Sequence, residues 1–256
     1  MRKKDLVAIK KNKLGYIQFM TSDVAYKVVH DTVRYRLKAK LKVPRRSNVK
    51  KDVEAEAEFQ KKIPEIIEKE LLLHQDQRDK YPEIRYWVQD ESRFGLHTIE
   101  RKKITIKGVQ PVGLYQYKYD YLWLYGLVEP ITGENFFEEW SHLNSDCFQS
   151  YLESFSKKYP NELHIIQLDN GRFHYKKDLV IPENIIFIFQ PPYTPEVNPI
   201  ERLWRYLKDK LQWSIFENLD RLRITLSQTL NKLDNSIVSS ITCYPFIVDA
   251  LCVASI

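Results

Sequence analysis

Glycine is scarce in this chain, with seven in 256 residues, and none of the seven builds a phosphate-cradling loop. A P-loop needs G-x-x-x-x-G-K, and a dinucleotide fold needs G-x-G-x-x-G straight after a strand. Neither pattern occurs, so nucleotide-binding folds of those two types are set aside. Cysteine is equally sparse. Cys147, Cys243 and Cys252 fit no disulfide framework and no zinc spacing, and Cys147 has no basic neighbour to activate it. All three read as reduced thiols of a cytosolic protein. No apolar run is long enough to cross a bilayer. No apolar segment follows the Met1-Arg-Lys-Lys-Asp5 start, so a secretory signal is not expected. No internal repeat appears.

What is present is an ordinary core-forming balance, 43% hydrophobic and 29% charged, in a length that suits one large domain or a medium domain with a small partner. Charge is distributed unevenly. Residues 1–51 hold 16 Lys and Arg against three acids, a net +13, whereas residues 52–256 carry a net −7. A basic fifth on an acidic body suggests a polyanion-binding module, the plainer alternative being a solvated basic tail. Within it, Val29, Val33 and Leu37 fall at i, i+4 and i+8 and predict a helix over 26–41. Arg34, Lys38 and Lys40 project from its other faces, as a major-groove recognition helix would require, although any basic surface helix looks the same. Arg45, Arg46, Lys50 and Lys51 then line a proline-bearing linker suited to a phosphate backbone.

Residues 52–75 are rich in helix formers, with Pro64 expected to break or kink the run. From Tyr86 the pattern turns strand-like. Segments 104–106, 114–119 and 122–128 alternate or run apolar between Pro and Gly turns, and read as an antiparallel meander of three strands. A helix is expected over 147–158 with Asp146 as its N-cap, and buried strands over 164–168 and 185–189. Asn198 as N-cap and Pro199 at the first helical position open a helix whose apolar face is Ile200, Leu203, Trp204, Leu207 and Leu211. A further amphipathic helix is predicted over 219–233, and the apolar tail 241–256 is expected to pack on the body. Strands followed by strand–helix units predict an α/β layer around a mixed sheet.

Three carboxylates stand out. Asp90 closes the run 84–89, Asp169 follows the apolar strand 164–168, and Glu201 lies in the first turn after Pro199. Each has a plain structural alternative: a solvated strand end for Asp90, a turn-forming Asp-Asn-Gly for Asp169, and for Glu201 a capping box with Asn198 or an ion pair with Arg205. Glu91, adjacent to Asp90, must point to the opposite face of a strand, so Asp90 is chosen and Glu91 is kept as a neighbour or weak alternative. His174 could orient a phosphate or donate a hydrogen bond, or simply cap a helix at the surface. Glu201, Arg205 and Lys208 share one helix edge, which suits a metal with phosphates running past it. Three carboxylates on adjacent elements would form a hard-oxygen cage for Mg²⁺ or Mn²⁺, the kind of site that cuts and joins phosphodiesters.

The motifs Asp-Glu-Ser-Arg-Phe-Gly (90–95), Leu-Asp-Asn-Gly-Arg-Phe-His (168–174) and Pro-Pro-Tyr-Thr-Pro-Glu-Val-Asn-Pro-Ile-Glu-Arg-Leu-Trp (191–204) resemble the bacterial IS630 transposases, within the Tc1/mariner superfamily of DDE recombinases. The likeness runs from about Val24 to the end of the chain. It implies an RNase H-like mixed sheet flanked by helices over 81–256, preceded by a partial helix-turn-helix segment over 1–45 and a basic linker with a connecting helix over 46–80. It implies that Asp90, Asp169 and Glu201 are the three family acids, holding two Mg²⁺ or Mn²⁺ ions with Asp90 bridging both. It further implies terminal inverted repeats and target DNA as partners, a homodimer on DNA, insertion at TA dinucleotides, and action on the prokaryotic nucleoid. Residues 1–45 accommodate roughly one helix-turn-helix where family members typically carry two. The chain is thus expected to be the second half of a two-frame product or a truncated copy. A repeat-bound remnant that no longer cuts is the competing expectation.

Overall fold

Segments rich in aromatic, Leu, Ile and Val residues and bounded by turns build one mixed sheet, and the apolar faces of the helices cover both of its sides. The computed structural model describes residues 9–11, 17–19, 35, 48–106, 108–175 and 179–256. The chain divides into two units, residues 1–47 and 48–256. In the first, strands β1 (Ile9–Lys11) and β2 (Ile17–Phe19) pair antiparallel, Ile9 opposite Phe19. The sequence patterning above does not anticipate this hairpin, although its β-branched and aromatic residues favour extended backbone. The helix expected over 26–41, with Arg34, Lys38 and Lys40, and the linker residues Arg45 and Arg46, lie outside the described residues.

In the second unit the five-stranded sheet has the order β5-β4-β3-β6-β7. These strands are β3 (Glu83–Gly95), β4 (Tyr121–Val128), β5 (Asn135–Trp140), β6 (Glu162–Leu168) and β7 (Ile185–Phe189). β3, β4 and β5 form the antiparallel meander, while β6 and β7 add parallel to β3. β3 is central and buried on both faces from Tyr86 to Gln89, which explains its near-continuous apolar run.

Two cores result. On one face helix α3 (Ser145–Lys158) lays Phe148, Tyr151, Leu152 and Phe155 against Trp87, Tyr125 and Ile166. Its N-cap is Asn144, whose Oδ1 accepts from the Cys147 N–H at 2.8 Å, rather than the expected Asp146. The other face is covered by α1 (Val53–Leu73), α4 (Ile200–Lys210), α5 (Leu219–Leu230), α6 (Asn235–Thr242) and α7 (Pro245–Ala254); the short α2 (Gln75–Lys80) buries nothing. α1 starts at Asp52, whose Oδ1 accepts from Glu54 N and Ala55 N, and runs through Pro64 without stopping. Phe59, Ile63, Ile67 and Leu71 recur every four residues along it and are buried, so this connecting helix is part of the body's core. Burying each such side chain contributes roughly 1.5–3 kcal/mol, which outweighs the hydrogen bond lost at Pro64.

The expected strands 104–106 and 114–119 are not strands. Between β3 and β4 the chain makes an irregular excursion, tied at its base by Leu96 N to Asp120 O (2.9 Å) and Gln116 N to Thr98 Oγ1 (2.8 Å). Ile104, Ile106, Leu114, Tyr117 and Tyr119 are exposed along it, so its alternation has no buried face behind it.

Candidate active site

Parallel pairing of β3 with β6 brings the first two acids together. The last paired positions are Val88 and Gln167, and Asp90 and Asp169 each stand two residues further on, both on the face of that final pair. Asp90 is not a strand end as the sequence suggested. β3 continues to Gly95 because its far half pairs with β4, placing Asp90 opposite Gly126. Asp169 does follow the end of β6, where open α/β sheets place their chemistry.

α4 brings the third acid. Asn198 is extended, and Pro199 already has helical angles (φ −62°, ψ −28°), so the helix opens as its sequence indicates. The Asn198 side chain works in two directions. Its Oδ1 accepts from Ile200 N at 3.3 Å, and its Nδ2 donates to Gln89 O at 2.8 Å, locking the helix start onto β3. One turn later the Trp204 Nε1–H donates to Asp90 Oδ2 at 2.8 Å. The Trp204 ring sits over Gly126, where a Cβ would lie 2.6 Å from Cη2. Glu201 takes neither structural role proposed for it. The Asn198 N–H donates to Pro195 O, and no ion pair joins Glu201 to Arg205 among the described residues.

The electrostatics show that the acids share one field. The Asp90 carboxyl is pushed well up by burial, then by the charges of Glu201, Glu91 and Asp169, against the opposing Trp204 donor. Glu201 is raised by burial and by Asp169 and Glu196, with Lys208 opposing. Burial would also raise Asp169, but hydrogen bonds from His174 and the Gly171 N–H hold it below the usual carboxylate range. Lys208 is lowered by burial and by Arg101 and Arg93, with Glu201 and Asp90 pulling the other way; its Nζ lies 5.5 Å from the Phe94 ring centre. The sequence edge Glu201–Arg205–Lys208 is thus realised in part: Lys208 turns into the acid cluster and Arg205 stays exposed. No three Asp, Glu, His or Cys side chains among the described residues are disposed as a closed metal-ligand group. Carboxylates repel one another, and Asp169 Oδ1 is already turned to His174 and to Gly171 N (2.8 Å).

His174, expected to orient a phosphate, donate a hydrogen bond or cap a helix at the surface, is buried beneath Asp169. Its Nδ1 is 3.2 Å from Asp169 Oδ1, and its Nε2 is 3.5 Å from Glu91 Oε1. Burial lowers the imidazole's proton affinity, but the two carboxylates overcome this and raise its pKa to about 9. Lys51, expected on DNA, bridges Glu56 (2.7 Å) and Glu196 (2.8 Å), because α1 and the segment before α4 meet there. Lys50 is exposed, its Nζ 5.9 Å from the Tyr193 ring centre. Sequence reasoning missed the inward role of Glu91, the Trp204 donor and the clearance at Gly126. A glycine inside a strand was the one available signal, since it marks a close approach.

A sequence model of the family described as DDE superfamily endonuclease matches residues 85–223. Among curated proteins, the uncharacterized protein y4pE/y4sA of Sinorhizobium fredii is 27% identical over 113 residues, covering 43% of this chain and 84% of that one. Among solved structures, the Mos1 strand transfer complex superposes with a TM-score of 0.63 at 18% identity, covering 91% of this chain and 70% of the other. The Mos1 mariner paired-end complex with Mn gives 0.61 at 17%, over 91% and 71%. The isolated catalytic domain of Mos1 mariner transposase gives 0.51 at 15%, over 83% and 97%. At such identities the likeness shows the fold, an RNase H-like mixed sheet flanked by helices. The sequence match takes in more than half of the chain and all three acids, and on that ground the chain belongs to the DDE superfamily endonucleases.

Proposed function

We propose that this endonuclease is a DNA transposase, cutting at the terminal inverted repeats of an insertion sequence and joining the freed ends to target DNA at TA dinucleotides. The observation that carries the reading is the mutual charge repulsion of Asp90, Asp169 and Glu201 just past the last pairing of β3 with β6. The Mos1 structures hold paired transposon ends, with Mn or Mg in two of them. Divalent cations fit this chain on the chemistry of its donors. All three are hard carboxylate oxygens, and each raises a neighbour's cost of ionisation unless positive charge lies between them. Asp90, Asp169 and Glu201 would hold Mg²⁺ or Mn²⁺, which when bound supplies Lewis-acid stabilisation of the entering and leaving oxygens of an in-line displacement.

The remaining work falls to the chain itself. Trp204 fixes Asp90 from the helix side, and Gly171 N fixes Asp169 from its own loop. Asn198 sets the height of Glu201 by tying the helix start to Gln89. Lys208 offsets part of the negative charge and is placed to meet a phosphate approaching the same edge. The unit of residues 1–47, with its excess of Lys and Arg, would supply non-specific affinity for duplex DNA that weakens steeply with salt. Two copies acting together on two ends would complete the assembly.

The test uses the purified full chain and a duplex carrying one end of the element, with Mn²⁺ or Mg²⁺. Nicking is expected at the element boundary, and Asp169→Asn is expected to abolish it while leaving the gel-shift affinity intact. A pre-cleaved duplex then reports joining separately from hydrolysis. Metal-independent nicking, or nicking that survives Asp169→Asn, would refute the assignment. Binding without nicking would identify a DNA-binding remnant instead.

A further inference from the structure

His174 is among the most tightly held side chains near the acids, yet it is not one of them. Its ring packs against two aromatics, 4.5 Å from Phe148 and 4.1 Å from Phe173, centre to centre, and those two rings also meet each other at 5.9 Å. The side chain is almost wholly enclosed, and each ring nitrogen faces a carboxylate. Nδ1 meets Asp169 Oδ1 at 3.2 Å and the Asp169 carbonyl at 3.1 Å. Nε2 has Glu91 Oε1 at 3.5 Å and no formed hydrogen bond of its own. Glu91 is fixed in turn by Gln89, whose Nε2 donates to the same oxygen at 2.7 Å. The backbone closes the loop, with His174 N donating to Gly171 O at 2.9 Å and Gly171 N donating to Asp169 Oδ1 at 2.8 Å.

We infer that His174 is a positioning residue for Asp169: packed against the Phe148–Phe173 pair and backed by Glu91, it captures Oδ1 and leaves Oδ2 to serve the acid cluster. The inference rests on the proposed metal-dependent reading and deepens it. A carboxylate beyond a strand end rotates freely about its χ angles, and a ligand must be held in one rotamer to bind well. Both contacts to Oδ1 come from groups within five residues of Asp169, so the loop carries its own clamp. Glu91, on the face opposite Asp90, becomes the rear stop of that clamp.

The experiment titrates Mn²⁺ into the EDTA-stripped full chain, with free Mn²⁺ followed by electron paramagnetic resonance and no DNA present. An Asn side chain places its amide nitrogen near the site of Nδ1, whereas Gln places it near Nε2. His174→Asn is therefore expected to keep most of the Mn²⁺ affinity, and His174→Gln to lose roughly 10–100-fold, the usual effect of removing a partner that orients a ligand. Melting without metal controls for folding. A merely structural histidine would lower both melting temperatures and leave the two Mn²⁺ affinities alike, and that outcome would overturn the inference. Should His174→Gln fail to fold, Glu91→Ala provides the second arm. It touches neither His174 nor Asp169 covalently and is expected to weaken Mn²⁺ binding, and unchanged binding there overturns the inference as well. Wild type that binds no Mn²⁺ refutes the metal-dependent reading and the inference with it. Wild-type binding that Asp90→Asn abolishes, together with equal affinities for His174→Asn and His174→Gln, refutes the inference alone.

Discussion

A methyl group at Gly126 should silence this site without touching any acid. Gly126 lies on β4 opposite Asp90, and an added Cβ would sit 2.6 Å from Trp204 Cη2, 2.8 Å from Phe137 Cε1 and 3.0 Å from Ile200 Cδ1. Trp204 and Ile200 are buried, so neither can swing into solvent. Restoring ordinary contact requires Trp204 to move by about 0.8 Å, and its 2.8 Å bond to Asp90 Oδ2 then approaches the length at which it ceases to be one. Overpacking of this kind costs about 1–3 kcal/mol. The companion variant Trp204→Phe removes the clashing part of the ring and the N–H together, leaving a cavity. In Gly126→Ala/Trp204→Phe the new methyl fills that cavity, so the double variant is expected to be more stable than the two single losses summed, by about 0.5–3 kcal/mol of coupling. Nicking should nonetheless stay low in all three, since Asp90 has lost its donor in each. Urea melts give the stabilities and a metal-dependent nicking assay gives the activity. Additive stabilities would show that Gly126 and Trp204 do not share the space described, and wild-type nicking by Gly126→Ala would show that the indole contact is dispensable.

Metal-free protein carries a further signature of the acid cluster. Because Asp90 is raised in the folded state, the stability it contributes is complete below the ordinary carboxylate range and is lost as pH rises through its folded value; melts in EDTA should therefore show Asp90→Asn gaining on wild type with rising pH, and a constant gap would contradict the coupling. His174 follows the same sign. Its pKa is raised to about 9, so its contribution is complete below about 6.5 and disappears toward 9, on the order of 3 kcal/mol in all, and denaturant melts across that window should show the decline in wild type and not in His174→Asn. Asn198→Ala removes the tie to Gln89 O and takes the acceptor away from the Ile200 N–H at the helix start; it should cost roughly 1–3 kcal/mol by urea melt and lower nicking, whereas a neutral effect would place the anchoring of α4 elsewhere.

The parts of this molecule legible in its sequence are those governed by one element's own periodicity. The apolar stripe of α4, the Asn198-Pro199 opening and the placement of Asp169 after an apolar strand all follow from local rules, and the structure keeps each of them. What was illegible depends on a second element. The apolar run 84–89 reads as closing at Asp90, yet the strand continues to Gly95 because β4 arrives to pair with it. Segments 104–106 and 114–119 alternate as strands would, yet Ile104, Ile106, Leu114, Tyr117 and Tyr119 stay exposed. Trp204 sits in an apolar stripe and reads as core, and only the position of Asp90 beneath it turns its N–H into a clamp. The same holds for Glu91, whose sequence position fixes the face it occupies but not the imidazole it finds there. Local patterning could therefore nominate the three acids, because each ends or begins an apolar run or a helix, even though Asp90 proves to lie within its strand. The groups that hold them still come from the opposite faces of neighbouring strands and from a helix more than a hundred residues away, and those contacts exist only once the sheet order is set.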